Sequence, residues 1–256
     1  MDAVLKGRRS EQGFTLVELA IVMIIIGLLI AGILKGQELI ANAQVTSTIS
    51  QTKGIDAALG TFRDTYGTLP GDLANAQQRL PNCTAACNGP VAALGNGRIN
   101  SDVGAAVAVA SEGGVAFRQL AAANFLTGVN IVSTTAAVDA GDEVPSASIS
   151  GASVRLGEAR AAAPTGNQGG AIATWSAGEY LAVAGDPSQA VGAAGADALS
   201  PSQALRIDEK LDDGLPQTGS VRAGGLATCV VAIAGTNSYD TSLATQVCAS
   251  FVRVQG

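Results

Sequence analysis

Histidine is absent from the 256 residues, and with it go imidazole general bases, Ser-His-Asp and Cys-His nucleophile systems, and His-ligated metals. Aromatic side chains are scarce at 4%, so the 47% apolar fraction is largely Ala, Val, Ile and Leu, beside 32 glycines. Small side chains bury little area each, which predicts a thin core and many loops. Positive charge is also short: 15 Lys and Arg stand against 21 Asp and Glu, with no basic tract. The formal net charge of -6 argues against nucleic acid as a partner of the body. The chain has no P-loop, dinucleotide fingerprint or nucleophile elbow. No clustered acid pair suggests an exported hydrolase, so the expectation is a non-enzyme. Proline does not occur before Pro70.

Long apolar sequence is confined to one place. Met1 to Gly13 is polar and carries Lys6, Arg8 and Arg9 against Asp2 and Glu11, whereas Phe14 to Leu34 is a run of 21 residues with one charge, Glu18. That run is long enough to cross a bilayer as a helix. Basic residues ahead of it place the N-terminus in the cytoplasm and everything beyond Lys35 outside. Export makes the four cysteines, Cys83, Cys87, Cys229 and Cys248, disulfide candidates. Four cysteines permit three pairings, of which proximity in the chain favours Cys83–Cys87 and Cys229–Cys248. The second bridge, between two expected strands, is worth roughly 3 kcal/mol on the loop-entropy account. A four-Cys zinc site would want two close pairs, and Cys229 and Cys248 are not close.

Glu18 needs a partner, because a carboxylate in an apolar helix is costly and no cation follows it in the run. Cleavage between Gly13 and Phe14 would create an α-amino group four residues away. A neighbouring subunit's amine could then neutralise Glu18 and set an assembly register.

The string Gly13-Phe14-Thr15-Leu16-Val17-Glu18, after a short basic leader and before Leu19-Ala20-Ile21-Val22, resembles the class III signal of type IV prepilins and pseudopilins. In that family a membrane aspartyl protease, the prepilin peptidase, cuts after the Gly and N-methylates the Phe, and the Glu directs subunit docking. The resemblance thus assigns cleavage to Gly13 and Phe14, methylation to Phe14 and assembly to Glu18. It also implies other pilin-type subunits as partners, an inner-membrane precursor with a periplasmic head, and a pilus-like or secretion-pseudopilus-like filament. One departure is Lys35, which stands where many filament-forming relatives carry a Pro part-way along the helix. Local melting would have to use Gly27, Gly32 or Gly36. Two other readings compete. An ordinary secretory signal would use Ala41-Asn42-Ala43, but Lys35 and Glu38 interrupt the approach to it. A plain anchor would carry a monomeric binding protein, and explains neither Glu18 nor the string around it.

Beyond the apolar run Val45, Ile49, Ile55, Leu59, Phe62 and Tyr66 keep helical spacing, so the helix should continue to Tyr66 and stop at Gly67 and Pro70-Gly71. Phe14 to Tyr66 as one helix would measure roughly 80 Å. The expected organisation is a leader 1–13, a membrane and filament-core helix 14–35, its amphipathic continuation 36–66 and a head 67–256. A helix is predicted from Glu112 to Leu126, and a strand at Ala152 to Leu156. Ala171 to Trp175 and Glu179 to Ala184 read as a hairpin. Ser200-Pro201-Ser202-Gln203 opens a capped helix that Gly214 can end. Ala227 to Ala234 and Ala249 to Val254 read as the last strands. Asp208, Asp212 and Asp213 crowd a helix end, where they oppose the dipole and need Lys210, a cation or water. That makes them calcium candidates, although their spacing is no EF-hand loop; no other cofactor is expected. The segments Phe62 to Asp72 and Ile207 to Pro216 also resemble parts of prepilin-like proteins. The fold class is therefore α+β: a long N-terminal helix laid on an antiparallel sheet, with short helices and Gly-rich loops.

Overall fold

A computed structural model of the chain describes residues 14–89, 94–132, 137–159, 175–233 and 236–255. The leader and its Gly13 and most of the strand expected at Ala171 to Trp175 lie outside these. The chain divides into two compact units, Met1–Asn42 and Ala43–Gly256.

Helix α1 runs unbroken from Leu16 to Tyr66, through Gly27, Gly32 and Gly36. Its termination follows expectation: Gly67 takes φ 75°, a left-handed conformation that costs glycine little, and donates its N–H to Arg63 O at 2.8 Å. Within the second unit α1 buries Val45, Thr48, Ile49, Thr52, Ile55, Ala58, Leu59 and Phe62, one stripe at spacings of three and four. The hydroxyl of Thr52 donates to Thr48 O at 2.9 Å, so this polar side chain enters the interior without an orphaned donor.

Four antiparallel strands form the main sheet in the order β1-β2-β6-β3: β1 Ser153–Ala159, β2 Gly178–Ala184, β3 Val221–Gly225 and β6 Cys248–Arg253. Alternation along β2 sends Leu181 and Val183 toward the clusters shared with α1, and Tyr180, Ala182 and Ala184 toward a cluster with Trp175, Phe251 and Val191. Strands β4 Val230–Ile233 and β5 Thr236–Tyr239 make a separate hairpin. The α+β class expected from the sequence is the one observed: a long N-terminal helix on an antiparallel sheet.

Strand β2 pairs with β1 along one edge and with β6 along the other. Several local expectations need correction. The strand expected from Ala227 begins instead as a 3-10 turn, Ala227–Cys229, and continues as β4, which pairs with β5 and not with β6.

The short helices are α2 Ala76–Arg79, α3 Glu112–Ala122 and α4 Pro201–Leu211. Helix α3 ends four residues before the expected Leu126. Asn124 sits at φ 62° and the N–H of Phe125 reaches back to Leu120 O at 3.0 Å, a left-handed stop supplied by asparagine. Every residue of α3 is buried, so it is an interior rod, and Gly113 lets it approach β1. A Cβ there would lie 2.5 Å from Leu156 O. Helix α4 has the expected capping box, with Ser200 Oγ accepting from Gln203 N and Gln203 Oε1 accepting from Ser200 N.

Candidate functional site

Phe14 is 89% exposed, and the large apolar side chains that follow it as far as Ile40 are exposed too, down to 46% at Ile26. An 18-residue window here has a mean hydropathy of 2.9 and no buried residue. Water is a poor solvent for such a surface, which at about 25 cal/mol per Å2 gains strongly from transfer to lipid or to other apolar helices. By length and composition the segment can cross a membrane, and it supports a single-pass precursor topology. After it, Lys35 and Glu38 pair at 2.7 Å, both exposed, a contact of small energetic worth.

The first turn contains a feature beyond those expected from the sequence. Thr15 N and Thr15 Oγ1 both donate to Glu18 Oε2 at 2.9 Å, while Glu18 N donates back to Thr15 Oγ1 at 3.2 Å. Thr15 and Glu18 therefore form a capping box, satisfying two donors that a helix start leaves open. The threonine-to-glutamate spacing of three is its signature in the sequence. Glu18 thus has a partner within its own chain, beside any it finds in another.

The remaining candidates lie elsewhere. Cys229 and Cys248 form a disulfide with Cα atoms 5.2 Å apart, which fastens the turn before β4 to the first residue of β6. It does not clip two paired strands, as the sequence suggested, because β4 and β6 are not neighbours. Cys83 and Cys87 are free thiols, so the bridge expected between them is not formed here. They are neighbours nonetheless: burial, and then the hydrogen bond and charge of Cys87 beside it, push the Cys83 thiol up to about 12.

Carboxylate oxygens of Asp208, Asp212 and Asp213 come within 4.8 Å of one another, so they could coordinate a divalent ion. They are a weak candidate, because the same oxygens are already engaged. Asp208 accepts from Tyr239 Oη at 2.8 Å and from Gly214 N at 3.2 Å. Asp212 accepts from the N–H groups of Ser220 and Val221, and Asp213 from Leu215 N and the Thr218 hydroxyl. The compensation expected from Lys210 is supplied by these donors; Lys210 Nζ points away and donates to Thr46 Oγ1 at 2.7 Å. Burial pushes Asp208 up to about 7, against the hydrogen bonds from Tyr239 and Gly214 that favour its charged form.

Among known proteins, residues 8–34 match the prokaryotic N-terminal methylation motif. That span contains Gly13, Phe14, the Thr15–Glu18 box and the apolar run. No curated protein and no solved structure matches the chain.

Proposed function

We propose, from the assignment to the type IV pilin and pseudopilin family that this methylation motif supports, that the chain is a non-catalytic structural subunit of a pilus-like or secretion-pseudopilus-like filament. Prepilin peptidase removes residues 1–13 and methylates Phe14. Residues 14–35 then leave the membrane for the filament core, 36–66 continue the helix, and 67–256 complete a head outside the inner membrane. The observation that carries this reading is an exposed apolar helix headed by the motif and bearing one carboxylate. Residues 14–35 have apolar surface on all sides, and close packing of these segments against one another drives their transfer from lipid to filament. The family assignment likewise supports interaction with other pilin-type subunits and with the processing machinery.

Glu18 sets the register by meeting the α-amino group of an adjacent subunit's Phe14. The local capping box suggests how to isolate that charge. Glutamine completes the same box, so Glu18→Gln keeps the cap and loses the charge, whereas Glu18→Ala loses both. Assembly should fail in both variants, while the membrane-inserted level stays normal in Glu18→Gln. Filaments of wild-type yield from Glu18→Gln would sink the charge-pairing role and leave the cap as the residue's only work. Processing is read separately, from the N-terminal sequence and intact mass of the protein in the cell envelope. A start at Phe14 with one added methyl group is the expected result, and a start at Gln44 would mean ordinary secretion.

A further inference from the structure

We propose that Cys83 and Cys87 are a second disulfide site, closed by exchange with a disulfide donor as the head enters an oxidising compartment. The proposal rests on the export reading above, and it concerns two thiols that the filament role does not use. Three observations carry it. The backbone from Leu80 to Asn88 is a tight turn: Cys83 N donates to Leu80 O at 3.5 Å, Cys87 N to Thr84 O at 3.0 Å and Asn88 N to Ala85 O at 3.2 Å. Thr84 caps it, its hydroxyl accepting from Ala86 N at 3.4 Å. The turn carries Cys83 and Cys87 four residues apart, with Cys83 Sγ donating to Thr84 O at 3.4 Å and the Cys87 thiol near enough to act on that of Cys83.

The turn is also pinned from outside. Gln119 Nε2 of α3 donates to Cys87 O at 2.9 Å, and its Oε1 accepts from Gly71 N at 2.6 Å. These contacts hold the Cys87 end of the turn in the folded head, so a bridge closed earlier is kept in place once α3 has packed. Lastly, the two thiols differ in access. Cys87 is buried in the core beside Leu80, Phe117 and Leu120, whereas Cys83 is half-exposed. Metal binding by the pair is disfavoured. Among the described residues the one group of three or more candidate ligands is the aspartate cluster, and two thiolates alone leave a zinc ion half-coordinated.

The chemistry balances in two steps. The Cys83 thiolate attacks one sulfur of the donor disulfide, forming a mixed disulfide and expelling the first donor thiolate. The Cys87 thiolate then displaces the second donor sulfur, so the chain loses two protons and two electrons and the donor becomes two thiols. In the folded head burial holds the proton on the Cys83 thiol, which slows its exchange. Closure thus belongs to the interval before α3 packs over Cys87.

The test is peptide mapping of the full chain recovered from the cell envelope, denatured and alkylated with iodoacetamide without reductant. The expected peptide carrying Cys83 and Cys87 is unalkylated and two hydrogens lighter than its reduced form, with Cys229–Cys248 also bridged. If Cys229–Cys248 is bridged and Cys83 and Cys87 are alkylated, the proposal is overturned and export stands. If all four are alkylated, the export reading falls and the proposal falls with it. Stability gives a second readout. With a bridge, Cys83→Ser and Cys87→Ser each lower the thermal midpoint by about 4–8 °C, and the double variant falls no further than the lower single. With thiols alone, Cys83→Ser leaves the midpoint unchanged and only the buried Cys87→Ser lowers it.

Discussion

At the scale of single residues, Asp208 and Tyr239 make the most informative pair in the head. Tyr239 is buried, and that burial and the adjacent Asp208 push its phenol well above the usual range, so it keeps its proton and donates it. Asp208 is also buried, with Asp212 and Asp213 as its charged neighbours, and titrates near 7 instead of the ordinary 3.8. A carboxyl raised in the folded state holds its proton more tightly there than in the unfolded chain. Its favourable contribution is complete below the unfolded value, falls through the interval and is gone above the folded one. Stability should therefore decline between pH 4 and pH 7 on account of this group. Tyr239→Phe removes the donor that eases the charged form. The loss should be about 1–3 kcal/mol at pH 8 and smaller at pH 5, read from thermal melts of the full chain in detergent at the two pH values. Equal losses at both would mean that Asp208 does not titrate in this range.

At the scale of elements, glycines in two helices make opposite predictions. Gly113 in α3 stands where a Cβ would meet the backbone oxygen of Leu156, an atom fixed in the β1–β2 ladder, whereas nothing lies within 4 Å of the exposed Gly54 in α1. Gly113→Ala should cost about 1–3 kcal/mol by forcing α3 off the sheet. Gly54→Ala should gain about 0.5–1 kcal/mol from helix propensity alone. Chemical denaturation of the two variants checks the difference in sign. The same elements explain what was legible in the sequence. The stripe from Val45 to Phe62 and the Ser200–Gln203 box announced α1 and α4 because each is a local pattern with a fixed spacing. Strands β3, with two glycines in five residues, and β5, Thr-Asn-Ser-Tyr, have no alternation to detect, and only their cross-strand partners make them strands. The Thr15–Glu18 box was hidden for another reason: a charge in an apolar run invites a distant partner, and the near one is overlooked. The disulfide ends were visible, but which elements they join depended on β4 pairing away from β6.

At the scale of the whole molecule, the helix serves two different solvents. Its exposed apolar part needs lipid or other apolar helices around it, whereas from Val45 onward its stripe supplies the head's own interior. The limits of an independently stable head follow from that stripe and not from the end of the helix. A chain beginning at Ala43 keeps every buried residue of α1. It should be soluble without detergent and melt cooperatively. A chain beginning at Gly67 removes Val45, Ile49, Ile55, Leu59 and Phe62 from the two clusters that they share with the sheet. At about 1.5–3 kcal/mol for each large side chain, that loss is of the order of 7–15 kcal/mol, comparable to the entire stability of a domain. The 67–256 fragment should therefore lack a cooperative transition. Circular dichroism melts of the two fragments decide the matter, and a sharp transition in the shorter one would show that the helical stripe is dispensable to the core it lines.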